Sequence, residues 1–256
     1  TDKEDADAQK ELVNIGVPAE STFIGVIARD PSYLKNNLPT TNWSYHDYRD
    51  SNIENYLFAA DELTKREHAV IRMGAFVENE LKTNNSKIID YASKGYRTDL
   101  LDIYIAAKCH FFVSGNCGLD SVPIIFRRPV VFVNYVPIEL VRGWYKNSLT
   151  IFKKHWLKNE KRLMTFREII ELGAGKFYYG ELFLQQGIEL IENTPEEICD
   201  VVTEMDERLN GTWETTEQDE ELQRRLWYLF KPNEHNQVFR CRAGTKYLQQ
   251  NKDLLD

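Results

Sequence analysis

Short unbroken apolar runs alternate along this chain with stretches of helical period. Phe23-Ile24-Gly25-Val26-Ile27-Ala28 is the first run, followed by Ala69-Val70-Ile71, Lys87-Ile88-Ile89, Phe111-Phe112-Val113 and Val130-Val131-Phe132-Val133. Continuous apolar runs of this length are the mark of strands buried on both faces. Between them, Ile53, Tyr56, Leu57, Ala60 and Leu63 share one face of a helix over roughly 52–66, and Leu100, Leu101, Ile103, Tyr104 and Ala107 fill a helix over 98–108. A short helix is expected over 118–126, with Pro123 either in its first turn or kinking it. Alternation at this spacing predicts a parallel sheet joined by right-handed crossovers.

Beyond Pro137 the pattern weakens. A helix near 165–172 is expected, then a sixth strand at Ile188-Glu189-Leu190-Ile191 and a helix over 195–209. Thr194, Pro195 and Glu197 supply that helix with a cap, a first residue and a capping-box partner. A helix over 217–230 carries Leu222, Leu226, Leu229 and Phe230 as one apolar stripe widened by Trp227 and Tyr228, and a short helix near 244–250 closes the chain. The expected architecture is α/β: a Rossmann-like parallel sheet, first strand central, helices on both faces and a helical C-terminal tail. Its organisation is a polar lead-in over 1–18, a Rossmann-like domain over 19–210 and the tail over 211–256.

Composition narrows the function. With 42% hydrophobic residues, 256 positions suffice for a sizeable core. The formal net charge of −8 argues against broad nucleic-acid binding. Basic residues nevertheless gather in the middle, from Arg127 to Arg162, which suits a phosphorylated ligand or a membrane surface as well as a plain solvated face. The four cysteines form no CxxC pair, and their spacing suggests no metal site. No transmembrane run or signal peptide is visible, so a cytoplasmic location is expected, with peripheral contact at the inner membrane face open. The chain starts at Thr1 rather than Met, which allows an excised piece with a preceding domain missing.

Ligands of open parallel sheets sit beyond the carboxyl ends of the strands. There the chain reads Arg29-Asp30, Arg72-Met73-Gly74, Asp90-Tyr91, Ser114-Gly115-Asn116-Cys117-Gly118 and Asn134-Tyr135. The Ser/Gly loop lets backbone amides approach a phosphate at a helix start. Arg29 and Arg72 would act as fixed cations. A ligand-free strand-to-helix turn explains the loop equally well. Neither GxGxxG nor GxxxxGK[ST] is present. Tyr45-His46-Asp47-Tyr48-Arg49 places a histidine beside an aspartate, a general-base candidate or a solvated loop histidine. Asp99 and Asp102 share a helical face, with Asp99 expected to cap it; Asp5-Ala6-Asp7 mimics a metal-binding DxD within the acidic lead-in.

At this point the chain resembles a group of bacterial glycosyltransferases from O-antigen and surface-polysaccharide clusters. The likeness runs through Ala28-Arg29-Asp30, Tyr45 to Tyr56, Val70-Ile71-Arg72-Met73-Gly74, Ile89-Asp90-Tyr91-Ala92, Asp99 to Tyr104, Phe111 to Gly118 and Ile191 to Ile198, in that order. The resemblance implies the donor-binding half of a two-domain GT-B enzyme and a metal-independent transfer, with no cofactor. The acceptor-binding half is missing or nearly so, which implies half an enzyme, a one-domain variant or one subunit of a pair.

The expected function is sugar transfer from a nucleotide sugar to a glycan or lipid-linked glycan acceptor, with a second subunit or missing N-terminal domain as possible partner and no nucleic acid. The expected ligand set is Arg29, Arg49, Arg72, Gly74, Ser114, Gly115, Asn116 and Gly118, with Asp120 or Glu192 reaching a ribose or sugar hydroxyl. Asp30 or His46 would be the base. The alternatives are a nucleotide-sugar epimerase or hydrolase, and a non-catalytic nucleotide-sugar-binding module that docks through Trp213 and Trp227.

Overall fold

The computed structural model describes every residue from Thr1 to Asp256 except His235. Its strands are β1 (Phe23–Ile27), β2 (Ala69–Arg72), β3 (Ile88–Ile89), β4 (Phe112–Ser114), β5 (Val130–Tyr135), β6 (Ser148–Phe152), β7 (Lys154–Leu157), β8 (Arg162–Leu163), β9 (Ile188–Ile191) and β10 (Arg242–Ala243). The helices are α1 (Asp2–Asn14), α2 (Ser32–Asn37), α3 (Leu57–Lys65), α4 (Asp99–Lys108), α5 (Ser121–Ile125), α6 (Phe166–Glu171), α7 (Gly180–Gln185), α8 (Pro195–Asn210), α9 (Glu217–Leu229) and α10 (Thr245–Gln250). Seven strands form one sheet in the order β10-β6-β5-β4-β1-β2-β3, and every pairing in it is parallel. The fold is Rossmann-like.

The order of strands reverses between β1 and β4. From β1 the chain steps outward to β2 and β3; from β4 it steps the other way to β5 and β6. Right-handed crossovers running in opposite directions put α3 and α5 on opposite faces. Helix α8 packs on α3, β5 and β6, while α4 packs on α5 and α1. Between these layers the strands are apolar: Ile24, Ile71, Phe112, Val113, Val130, Val131 and Val133 are all buried. β1 is an inner strand but β4 holds the middle place.

Two expectations about strands need correction. Ile188–Ile191 is not the sixth strand of the parallel sheet. It is β9, paired antiparallel to β7 in a separate three-stranded sheet of order β8-β7-β9. Ile188 is buried while Glu189 and Ile191 are exposed, an alternation that a strand covered on both faces would not show. The sixth strand is Ser148–Phe152, buried at every position despite Ser148 and Thr150. Ser148 Oγ donates to the Tyr145 carbonyl at 2.6 Å, which satisfies one of those hydroxyls.

Both ends of the chain join the body. α1 buries Ala8 and Leu12, and Lys108 of α4 pairs with Asp5 at 3.0 Å. Near the other end β10 adds the seventh strand, beside β6. In α9, Leu222 and Leu226 are buried, with Phe230 just beyond them. Trp227 stacks on Phe239 at 4.9 Å, and its Nε1 donates to Gln223 Oε1 at 3.2 Å. Tyr228 stays 86% exposed. No helix among the described residues is long and apolar enough to cross a membrane.

Candidate functional site

A cleft of about 500 Å³ opens where β1, β2 and β4 end, at the point of strand-order reversal. That volume lies within the range of ligand sites, and the position is the one parallel sheets favour. Its wall takes Arg29, Asp30 and Tyr33 from the end of β1 and the start of α2. Trp43, His46 and Arg49 come from the following turn, Gly74 and Phe76 from beyond β2, and Cys117 and Gly118 from beyond β4.

Arg29 is the best-anchored cation. Its Nη1 forms a close ion pair with Asp50 Oδ1 and also donates to the His46 carbonyl at 3.1 Å. Burial drives Asp50 up to about 7 against the pull of Arg29. Burial also lowers Arg29. Lys153, at the end of β6, lies behind this pair: its Nζ donates to the carbonyls of Asp50 at 2.6 Å and Tyr48 at 3.2 Å.

Arg49 reaches across to the Ser/Gly loop, where its Nη2 donates to the Asn116 carbonyl at 2.7 Å. The loop is tight. Asn116 takes the left-handed conformation at φ +58°. Gly115 is closely surrounded, since a Cβ there would lie 3.2 Å from Arg29 N, Ser51 Oγ and Tyr56 Oη, tighter than an ordinary contact. Not every loop amide faces a ligand. Gly115 donates to the Ile27 carbonyl, and Cys117 donates to Asp120 Oδ2 at 3.1 Å. The amides of Asn116 and Gly118 meet no acceptor among the described residues. A Cβ at Gly118 would meet nothing within 4 Å, so this turn is open.

His46 lines the cleft with Nδ1 enclosed and without a hydrogen-bond partner. Burial, then the charges of Arg49 and Arg29, hold its pKa below the ordinary histidine value, so the ring is neutral at pH 7. Asp30 also lines the cleft, with Oδ1 accepting the Ser32 amide at 2.8 Å. Burial pushes the Cys117 thiol up to about 11, which removes it as a nucleophile near neutrality.

Arg72, Ser114, Gly115, Asn116, Asp120 and Glu192 of the expected ligand set do not line the cleft. Arg72 is buried: its Nη1 donates to the Asn79 carbonyl at 2.6 Å and faces both Asp90 oxygens at 3.4 Å. The reason is position, since Arg72 is the last residue of β2 and every residue of that strand is buried. Asp120 is fully buried as well, pairing with Arg142 at 2.6 Å and accepting from Ser114 Oγ at 3.2 Å and from Cys117 N. It organises the loop from beneath and offers nothing to a hydroxyl in the cleft. Glu192 turns to the Asn52 amide at 3.0 Å and the Asn55 side chain at 3.1 Å. Ser114 is likewise buried behind the loop, whereas Gly74, at φ +154°, stays in the cleft wall.

Sequence reasoning missed Trp43, Phe76 and Arg97, which line the cleft together with Asp102, noted from the sequence only for its place on one face of α4. Arg97 pairs with Asp102 at 2.8 Å, and Tyr91 Oη donates to the same carboxylate at 3.0 Å. Thr98, not Asp99, caps α4 by accepting the Leu101 amide at 3.1 Å. Tyr33 and Phe76 meet at 6.5 Å between ring centroids and are both exposed at the mouth. The exposed aromatics beside Arg-Asp and Gly-Ala-Phe were the signal available. No protein-family model, curated protein or solved structure matches this chain.

Proposed function

We propose that the cleft binds a nucleoside-diphosphate sugar and that the chain is the donor-binding part of a glycosyltransferase. The observation that carries this reading is the convergence of Arg29, Arg49, His46 and the open Gly118 turn on one cleft. The two guanidiniums and the free amide of Gly118 suit a diphosphate, in the ground state and as a leaving group. Tyr33, Trp43 and Phe76 offer flat apolar surface for a base. The neutral His46 imidazole accepts the proton of an acceptor hydroxyl, with Asp30 as the second candidate for that role. Arg97 and Asp102, which line the cleft as an ion pair, take in this reading the sugar or ribose hydroxyls first assigned to Asp120 and Glu192.

The test is calorimetry with a panel of UDP-, GDP- and CMP-sugars, followed by a donor-hydrolysis assay. Binding by the wild-type chain, with turnover lost in His46→Ala while binding persists, is the expected result. Binding without any turnover favours the non-catalytic module instead. No binding of any nucleotide or nucleotide sugar overturns the proposal.

A further inference from the structure

His68, His110 and Asp206 come together at the other end of the sheet. His68 immediately precedes β2, His110 stands two residues before β4, and Asp206 projects from α8. β2 and β4 flank β1, so the topology brings the two histidines side by side, with rings stacked at 5.2 Å. Asp206 Oδ1 lies 2.9 Å from His68 Nε2 and 3.9 Å from His110 Nε2. One ligand atom from each of the three residues falls within 4.8 Å of the other two.

We propose that this triad is a zinc site. In a tetrahedral zinc centre with bonds of about 2.0–2.1 Å, neighbouring ligand atoms are about 3.3 Å apart. The two distances from Asp206 Oδ1 bracket that value. Two imidazoles and a carboxylate are a donor set suited to zinc, and three protein ligands leave a fourth position for water.

The surroundings support the ligand roles. His68 Nδ1 meets Thr22 Oγ1 at 2.6 Å, the outer-shell contact that leaves Nε2 to carry its lone pair to the ion. Asp206 is fixed through its other oxygen by Arg66 at 3.2 Å, while Asn210 donates to Oδ1 at 3.1 Å. Arg66 opposes a cation by charge, but it sits on Oδ2 and leaves Oδ1 facing the histidines. An ion-pair network alone accounts for His68 and Arg66. It does not account for His110 Nε2, which is enclosed, points at Asp206 and has no hydrogen-bond partner. The His110 side chain is 25% exposed, although its Nε2 is enclosed.

The cleft lies beyond the opposite ends of these same strands, roughly 15 Å away at ~3.3 Å per residue. A zinc ion here holds the amino ends of β2 and β4 to α8 and does not touch a ligand in the cleft. Its effect is therefore on stability, and this inference stands or falls separately from the nucleotide-sugar reading.

The experiment uses the full chain, stripped with EDTA and titrated with Zn²⁺ against a chromophoric chelator, with Co²⁺ as a visible-absorption probe. One Zn²⁺ per chain, tetrahedral Co²⁺ bands and a zinc-dependent rise in Tm are expected. His110→Ala, whose removed ring makes no hydrogen bond through Nε2, should fold, lose about tenfold or more in zinc affinity and lose the Tm rise. Asp206→Asn should behave likewise, and His46→Ala should bind zinc as the wild type does. Sub-stoichiometric uptake, or equal affinity in His110→Ala, overturns the site and leaves an ion-pair network.

Discussion

Asn134 and Asn193 bond each other reciprocally: the backbone amide of each donates to the side-chain oxygen of the other, both at 2.6 Å. Both residues are buried, and Asn193 Nδ2 also donates to the Phe152 carbonyl at 2.9 Å. This clamp ties the end of β5 to the end of β6 and to the residue before the Thr194 cap of α8. Asn193→Ala leaves the buried Asn134 amide without a partner, while the Phe152 carbonyl keeps the Tyr247 hydroxyl at 3.2 Å. The expected cost is about 1–3 kcal/mol, the penalty of one unsatisfied buried group. Urea unfolding checks it; a loss under about 0.5 kcal/mol, the level of an ordinary surface change, would show that water reaches the clamp.

Arg49 and Arg72, both in the expected ligand set, should behave differently. Arg49→Ala removes a cation from the cleft wall, and nucleoside-diphosphate affinity should fall by about 1.5–3 kcal/mol, the scale of hydrogen bonds to charged groups. Its Tm should change little. Arg72→Ala leaves Asp90 buried and unpaired, which costs about 3–5 kcal/mol of stability. Calorimetry and thermal melts on both variants separate the roles. Equal affinity losses with equal Tm values would place Arg72 back in the binding site.

Gly115 and Gly118 also divide structure from binding. A methyl at Gly115 crowds Arg29 N, Ser51 Oγ and Tyr56 Oη, and the overpacking should cost about 1–3 kcal/mol. Gly118→Ala adds its methyl to open space in the cleft wall. Stability should be kept while nucleotide affinity falls, because the ligand loses its approach to the backbone. A Gly118→Ala variant that binds nucleotide as well as the wild type would exclude this turn from the contact surface.

His155 sets a pH response. Its ring is fully enclosed beside Phe183, and Nδ1 donates to the Lys153 carbonyl at 3.2 Å. Burial lowers its pKa from 6.5 to about 4. Between those values the unfolded chain binds a proton that the folded chain does not, so stability falls as pH drops from 6.5 towards 4. With about 1.4 kcal/mol per pKa unit the contribution is about 3 kcal/mol at most. Chemical unfolding at pH 7, 5.5 and 4.5 should show the decline, and His155→Phe should lessen it. An unchanged slope in the variant would assign the acid sensitivity to other groups.

Much of this architecture was legible in the chain. The runs at Phe23, Ala69, Phe111 and Val130 read directly as parallel strands, because a strand covered on both faces admits few polar residues. The α8 start was equally clear, since Thr194 and Glu197 form their capping box through contacts three residues apart. That Arg29, Asp30 and Gly118 share one rim followed from strand ends converging there, whereas His46 and Arg49 reach it from the loop before α3. What only the tertiary structure decided was which polar residues spend their bonds internally. Arg72, Asp120 and Glu192 stand at plausible sequence positions, yet Asp90, Arg142 and the Asn52–Asn55 turn claim them. Such pairings span 18 to 140 positions and leave no local periodicity. The same holds for β10 beside β6 and for the histidines beside Asp206. Chain order carries local propensity and burial pattern, whereas partners distant in sequence are chosen only when the sheet sets its strand order and the helices close over it.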